Sequence, residues 1–193
     1  MRPEALGGFV LRTLLWLPPC FGAWYWTARY HAAVVASLAH LLVDAFQSGV
    51  LAGVEQPVLD LVFVTRIMVH PSAGETGVLV PEVNPLLYTY GLAFFAAIML
   101  ASRAKAWKLL AGALVLLPFQ AWGVAFDFLA QVGVRLGPEI ATQTGLSAGQ
   151  REVVALGYQL GSLIFPTLVP VILWAAFNKR FIEGLLRAPP PRT

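Results

Sequence analysis

Three polar side chains in one apolar stretch are the first candidates for chemistry in this sequence. The stretch LLPFQAWGVAFDFLAQVG, residues 116–133, is apolar enough to cross a bilayer, yet it contains Gln120, Asp127 and Gln131. On an α-helix these side chains fall within about 40° of one another and form one polar stripe. Polar groups at membrane depth are costly, so they usually face a partner helix or a watery cavity. We therefore expect the stripe to face inward or towards a partner.

Other reactive side chains follow weaker patterns. His40 and Asp44 are spaced i, i+4, which suits a general-base pair, although a surface hydrogen bond is the simpler interpretation. Cys20 is the only cysteine and falls about halfway through an apolar segment, so we expect a buried, inert thiol. The spacing of His31, His40 and His70 matches no metal-site pattern. The sequence therefore predicts no metal, no cofactor and no internal disulfide.

The composition is that of a membrane protein. Of 193 residues, 58% are hydrophobic and only 12% are charged, about half the charge fraction of a soluble domain. The net charge of +3 comes from basic residues beside apolar blocks, which argues for a membrane flank and against nucleic-acid binding. We expect an all-α fold, with residues 1–193 forming a single integral membrane domain.

Four stretches are long and apolar enough to cross a hydrocarbon core of about 30 Å. They cover approximately residues 13–28, 84–101, 107–132 and 154–177. The proline-rich tail, about residues 187–193, is predicted to be disordered. The spans and the tail are thus expected to leave residues 29–83 as one outer segment.

The basic residues predict the orientation. With the N-terminus inside, nine of them fall in the inner segments, and these include all three lysines. The outer segments hold only four: Arg29, Arg66, Arg135 and Arg151. Because cytoplasmic loops are enriched in lysine and arginine, we expect both termini in the cytoplasm.

The outer segment is predicted to contain an amphipathic helix and a β-hairpin. Residues 31–54 carry a polar face that includes His40, Asp44 and Gln47, and a helix lying on the outer membrane surface fits the charge bias better than a fifth span. Residues 58–69 alternate between apolar and polar side chains, as a half-buried strand does. The turn PSAGETG and the following GVLVPEV would complete the hairpin.

Depth counting places Asp127 near the outer boundary of the third span. At 1.5 Å per residue it lies about 30 Å from Trp107, level with Tyr158 of the fourth span. Arg151, Tyr158 and Ser162 share a face there, so Asp127 is expected to bond with Tyr158 or to pair with Arg151. We interpret this face chiefly as a polar clasp between helices, with a peptide-binding or catalytic role as the alternative.

A pair of glycines in the fourth span predicts close helix packing. Gly157 and Gly161 form a small-xxx-small motif, which lets two helix backbones approach each other. The motif suits packing within this bundle better than packing against a partner, although both are open.

Several blocks together resemble a known family. They are LWLPPCFGAWY (residues 15–25), EVNPLLYTYGL (82–92), PFQAWGVAFD (118–127), and REVVALGYQLGS (151–162) followed by NKRF. In order and spacing, this chain is similar to the exosortase H-associated membrane proteins over nearly its whole length. Each block alone is weakly specific, and the resemblance depends on their joint occurrence.

The resemblance implies an accessory role in protein sorting, at the inner (cytoplasmic) membrane of a bacterium. Such proteins accompany exosortase H, which resembles a transpeptidase acting on IPTLxxWG-type C-terminal signals in Gram-negative bacteria. The implied partners are exosortase H, its signal-bearing substrates and membrane lipid. The resemblance supplies no catalytic residues, and Cys20 in the first span is a poor match to the cysteine expected of the exosortase itself.

Two functions of other classes remain open at this stage. One is a membrane hydrolase or transferase that uses Asp127, Arg151 and Tyr158. The other is a small transporter subunit with a polar path along the third span.

Overall fold

The computed structural model describes residues 3–70 and 75–186 of the chain, as a mainly helical protein with a small β-sheet. Its helices are α1 (Pro3–Phe46), α2 (Leu86–Thr89), α3 (Gly91–Ala101), α4 (Ala106–Ala130), α5 (Pro138–Gln143), α6 (Ala148–Gln159), α7 (Phe165–Phe177) and α8 (Lys179–Leu186). Two π-helical turns extend the helices: π1 (Gln131–Arg135) follows α4, and π2 (Leu160–Ile164) joins α6 to α7. The predicted disordered tail, 187–193, lies outside the described residues.

Within the described residues, three helical stretches are long and apolar enough to cross a membrane. They are Leu6–Phe46, Ala106–Arg135 and Ala148–Phe177, and the stretch Leu86–Ala101 is apolar but shorter. The predicted spans 107–132 and 154–177 fall inside two of the three. The sequence therefore identified the membrane class and the positions of the apolar helices, while the long first helix differs from the prediction.

The prediction of a separate amphipathic helix over residues 31–54 is wrong. Helix α1 continues without interruption through Pro18 and Pro19 to Phe46, and the remainder of the predicted helix is a turn followed by a strand. The continuation has an apolar stripe as well as a polar face: Ala32, Val35, Ala36, Ala39 and Val43 are all buried. This stripe packs on the protein's own core, so it needs no membrane surface to cover it, and the polar face is left to the solvent.

The length of α1 means that part of it lies beyond the hydrocarbon core. Forty-four residues at 1.5 Å each span about 66 Å, roughly twice the thickness of that core. Tyr25, Trp26 and Tyr30 are exposed along the middle of the helix, where aromatic side chains suit a membrane–water interface. The helix ends shortly before Gly49, whose φ of +84° turns the chain into the sheet.

The sheet contains the predicted hairpin and one additional strand. Strand β2 (Leu61–Thr65) pairs antiparallel with β1 (Leu51–Glu55) on one side and with β5 (Glu82–Val83) on the other. Strands β3 (Met68–Val69) and β4 (Gly77–Val78) form a separate antiparallel ladder that continues the hairpin. Alternate residues from Leu61 to Ile67 are buried, as the period-two pattern predicts.

Helix α4 is the central element of the fold. It packs against α1, α6, α7 and the sheet, and every residue from Val124 to Ala130 is buried. The Phe128 ring stacks on Phe63 of β2, with ring centroids 4.6 Å apart, which joins the sheet to the helical bundle. A second, smaller cluster around Phe95 and Met99 fills the opposite end of the bundle.

The two ends of the bundle differ in chemistry. At one end, the turn after α3 meets the α7–α8 junction, and the ammonium of Lys108 donates a hydrogen bond to the Phe177 carbonyl. At the other end, the sheet meets α5 through Gln143, whose side chain donates to the Met68 carbonyl at 2.9 Å and accepts from the Met68 amide at 3.0 Å. The first end carries a cluster of basic residues, and the second carries the sheet.

Candidate functional site

The three polar side chains of the α4 stripe contact three different parts of the protein. The Gln120 side-chain oxygen lies 2.7 Å from Nε2 of His31 on α1. The Asp127 carboxylate pairs with Arg135. The Gln131 amide donates to the Glu82 carbonyl in β5 at 3.0 Å. The stripe thus faces the interior and joins α4 to α1, to π1 and to the sheet.

Asp127 lies at the centre of a small polar cluster. Its side chain is only 10% exposed and forms an ion pair with one guanidinium nitrogen of Arg135, which also donates to the Asp127 carbonyl at 3.2 Å. The Arg135 guanidinium carbon lies 4.8 Å from the centroid of the Tyr158 ring, a cation–π contact. Buried Tyr88 packs against Gly123, one turn before Asp127 on α4. We refer to Asp127, Arg135, Tyr158 and Tyr88 as the Asp127 cluster.

The π-helical turn π1 explains how Arg135 reaches Asp127. On a regular α-helix, residues eight apart point about 80° away from each other. A π turn closes its hydrogen bonds between residues i and i+5, so it contains more residues per turn and rotates the following side chains. Arg135 ends this turn and therefore comes back to the face that Asp127 occupies.

Arg151 is not the ion-pair partner of Asp127. Its Nε donates instead to the Leu146 carbonyl at 3.2 Å, next to the start of α6. The predicted combination of Asp127, Arg151 and Tyr158 is thus only partly assembled, because Tyr158 joins the cluster and Arg151 does not. Ser162 donates to the Tyr158 carbonyl one turn earlier, at 2.8 Å, and so bonds within its own helix.

Gly157 and Gly161 lie at close contacts between the α6–α7 helix and α4. An added Cβ at Gly161 would lie 2.7 Å from the Cα of Gly123, and one at Gly157 would overlap the Phe126 ring. The indole of Trp122 donates to the Gly157 carbonyl at 3.0 Å across the same contact. The glycine pair therefore packs within this chain and holds α6 close enough for Tyr158 to reach Arg135.

The polar face at the C-terminal end of α1 remains at the surface. His40 and Asp44 are 3.0 Å apart between Nε2 and Oδ2, and both side chains are partly exposed. The Gln47 amide lies near Gly145, in the loop between α5 and α6. This arrangement is the surface hydrogen bond expected from the spacing of His40 and Asp44.

An exposed apolar patch lies on the sheet, at the same end of the molecule. Met68 and Val78 are paired across the β3–β4 ladder and therefore share one face, and Val80 follows two residues after Val78. All three side chains are between 44% and 49% exposed. We call Met68, Val78 and Val80 the hairpin patch. Exposed apolar clusters on a sheet commonly mark interaction surfaces.

Three residues of these contacts were not identified from the sequence. Arg135 and His31 were interpreted as parts of outer segments, and Tyr88 as part of the predicted span 84–101. A signal was present for Arg135, since a lone arginine follows a buried-helix pattern that contains an aspartate. No comparable signal points to His31, because its partner is 89 residues away in sequence.

The fold and the site define a class of protein. The long apolar helices make it an integral membrane protein, and its buried polar groups join its own elements to a small sheet at one end. The chain belongs to the exosortase H-associated membrane protein family, since the model of that family matches residues 3–181. No curated protein and no solved structure matches the chain.

Proposed function

We propose that this protein is a non-enzymatic inner-membrane accessory of an exosortase H sorting system. The observation that carries the proposal is the family match, which covers residues 3–181 and names exosortase H as the associated protein. In this proposal, the sheet-bearing end of the molecule contacts exosortase H or presents its signal-bearing substrate. The role of the α4 stripe is to hold that end on the membrane bundle.

The proposed topology has four spans and cytoplasmic termini. The stretch Leu86–Ala101 would form the second of the four spans, and its 16 residues are just below the usual minimum for an upright transmembrane helix. The basic turn after α3 and the α7–α8 junction share one end of the bundle, which supports placing that end in the cytoplasm. The sheet, α5 and the C-terminal end of α1 would then lie on the extracytoplasmic side.

The hairpin patch is the proposed contact surface for exosortase H. Its three apolar side chains lie at the end of the molecule away from the basic turns, where the proposed topology places the extracytoplasmic side. The polar face with His40, Asp44 and Gln47 belongs to the same end of the molecule and would contribute hydrophilic side chains around the contact. An apolar centre within a polar rim is the usual arrangement of a protein interface.

Co-purification with exosortase H tests this proposal directly. Tagged protein extracted from membranes in mild detergent is expected to retain exosortase H, and the variant Val78→Glu is expected to lose it because a charge is placed in the apolar contact. Val58→Glu provides the control, since Val58 is also exposed but lies outside the patch. If wild-type protein retains no exosortase H and a deletion strain sorts normally, the accessory function is wrong.

The substitution Asp127→Asn separates a structural role from a catalytic one. A positioning role predicts that less folded protein accumulates and that sorting falls in proportion, while the sorting yield per molecule stays constant. A catalytic carboxylate predicts normal abundance with sorting abolished. Quantitative immunoblotting of membranes, together with the processed fraction of a signal-bearing protein, gives both quantities.

A further inference from the structure

The basic end of the bundle contains a cavity formed by two segments far apart in sequence. It has a volume of about 440 Å³ and lies between the turn after α3 and the α7–α8 junction. Five cationic side chains line it: Arg103, Lys105, Lys108, Lys179 and Arg180. Cations on two facing segments surround a common space, whereas a simple basic flank would spread its charges along the membrane surface.

No described acidic side chain pairs with the cations of this cavity. Among the side chains that the structure describes, those of residues 6–70 and 75–184, the ion pairs are His40–Asp44 and Asp127–Arg135, and neither includes any of the five cations. All the lining residues are basic, aromatic, small or amide-bearing, and none of them is acidic. An anion bound in the cavity would therefore meet several cations and no competing carboxylate on the walls.

The backbone conformation of Arg103 is one that residues with a side chain rarely adopt. Arg103 has a φ of +54° and lies in the left-handed region, two residues after the end of α3. The amides of Arg103 and Ala104 close the helix by bonding to the Leu100 and Met99 carbonyls, each at 3.0 Å. Glycine is the residue that usually takes this place, because it has no side chain to clash. The chain bears the conformational cost of an arginine here, which fits a need for its guanidinium at the cavity.

The cavity continues into an apolar surface on α4. Trp107 forms part of the cavity lining, and Leu110 and Leu114 follow it at helical spacing on the same face. These three side chains are 59–65% exposed in the chain, where a membrane protein meets lipid tails. A cationic cavity that opens onto an apolar stripe matches a ligand with an anionic head and hydrocarbon chains.

We propose that this cavity binds the headgroup of an anionic phospholipid, with its acyl chains lying along Trp107, Leu110 and Leu114. The phosphate would be held by cations from both segments, and Lys108, already bonded to the Phe177 carbonyl, would fix the wall between them. Basic cavities between membrane helices are suited to such headgroups. The site would tie the α3–α4 turn to the start of α8 and is independent of the exosortase H contact.

Native mass spectrometry of the detergent-purified full chain tests the site. Wild-type protein titrated with phosphatidylglycerol or cardiolipin is expected to retain one lipid at concentrations where phosphatidylethanolamine is not retained. Each cation removed should weaken the binding by about fivefold, from about 1 kcal/mol per basic residue. The double variant Arg103→Gly/Lys105→Ala should therefore bind about 25-fold more weakly.

The design keeps folding separate from binding. Glycine adopts the positive φ of residue 103 readily, so the midpoint of thermal unfolding should not fall in Arg103→Gly. Weaker lipid binding by this variant therefore cannot be ascribed to unfolding. Arg66→Gln removes an exposed cation from the sheet end and should leave lipid binding unchanged. Equal retention of phosphatidylethanolamine, or unchanged binding by the double variant, would overturn the proposal. Displacement of the lipid by inorganic phosphate at similar concentration would overturn it in favour of a soluble-phosphate site.

Discussion

His31 on α1 and Gln120 on α4 are joined by a hydrogen bond of 2.7 Å between Nε2 and Oε1, across 89 residues of sequence. Gln120 is 4% exposed, and its Nε2 has no hydrogen-bond partner within the described residues. The His31 ring is therefore the contact that satisfies the oxygen of this buried amide. The pair fixes the position of α1, which carries the stripe that covers the sheet.

Substitution of His31 is expected to destabilise the protein by more than the lost packing of the imidazole ring, because a buried polar atom loses its partner. His31→Ala leaves the Gln120 oxygen buried without a donor, which should lower the free energy of unfolding by about 1–3 kcal/mol. The double variant His31→Leu/Gln120→Leu removes both polar groups and should recover most of this loss. Thermal unfolding in detergent measures both. A double variant less stable than His31→Ala would contradict this account.

The sequence predicted much of the fold because the strongest signals are local. The apolar stretches that became α4 and the α6–α7 helix are continuous, and the alternation around Leu61 and Phe63 is a clear strand pattern. The polar face of residues 31–46 was also identified, but its orientation depends on what lies opposite. A membrane surface and the protein's own sheet bury the same apolar stripe, so amphipathicity alone could not distinguish them.

The candidate site was predictable only in part: the orientation of its polar side chains follows from the sequence, but their partners do not. The inward orientation of Gln120, Asp127 and Gln131 follows from the cost of polar groups in lipid, and the structure places all three in contacts between elements. The partner of Asp127 was not predictable from regular helical geometry. Arg135 reaches it only through the π turn, whereas depth counting along regular helices had placed Arg151 near Asp127.

The Asp127–Arg135 pair is expected to respond asymmetrically to substitution. Arg135→Gln leaves the nearly buried Asp127 carboxylate without its cation and should cost about 1–3 kcal/mol. Asp127→Asn should cost less, because Arg135 is 45% exposed and can turn towards water. The double variant should resemble Asp127→Asn alone. A double-mutant cycle on unfolding in detergent measures the coupling, and a coupling near zero would show that the pair contributes nothing to stability.

The contact between Gly161 and Gly123 is expected to tolerate no added methyl group. Gly161→Ala places a Cβ 2.7 Å from the Gly123 Cα, where backbone must move, and should lower the free energy of unfolding by about 1–3 kcal/mol. Gly149→Ala, at an open position of α6, should be neutral or stabilising by up to about 1 kcal/mol. Chemical unfolding of the two variants in parallel gives the comparison. Equal stability of the two would show that α4 and the α6–α7 helix are not in close contact.

The proposed orientation can be tested with single cysteines, because Cys20→Ala gives a cysteine-free chain. Glu55→Cys on the sheet and Lys105→Cys at the basic turn are both at exposed positions, at opposite ends of the bundle. A membrane-impermeant maleimide is expected to label Glu55→Cys in intact spheroplasts and Lys105→Cys only after permeabilisation, since lysine-rich turns stay in the cytoplasm. The reverse pattern would place the hairpin patch in the cytoplasm. It would also remove that patch from any contact with the extracytoplasmic face of exosortase H, whatever the affinity measured in detergent.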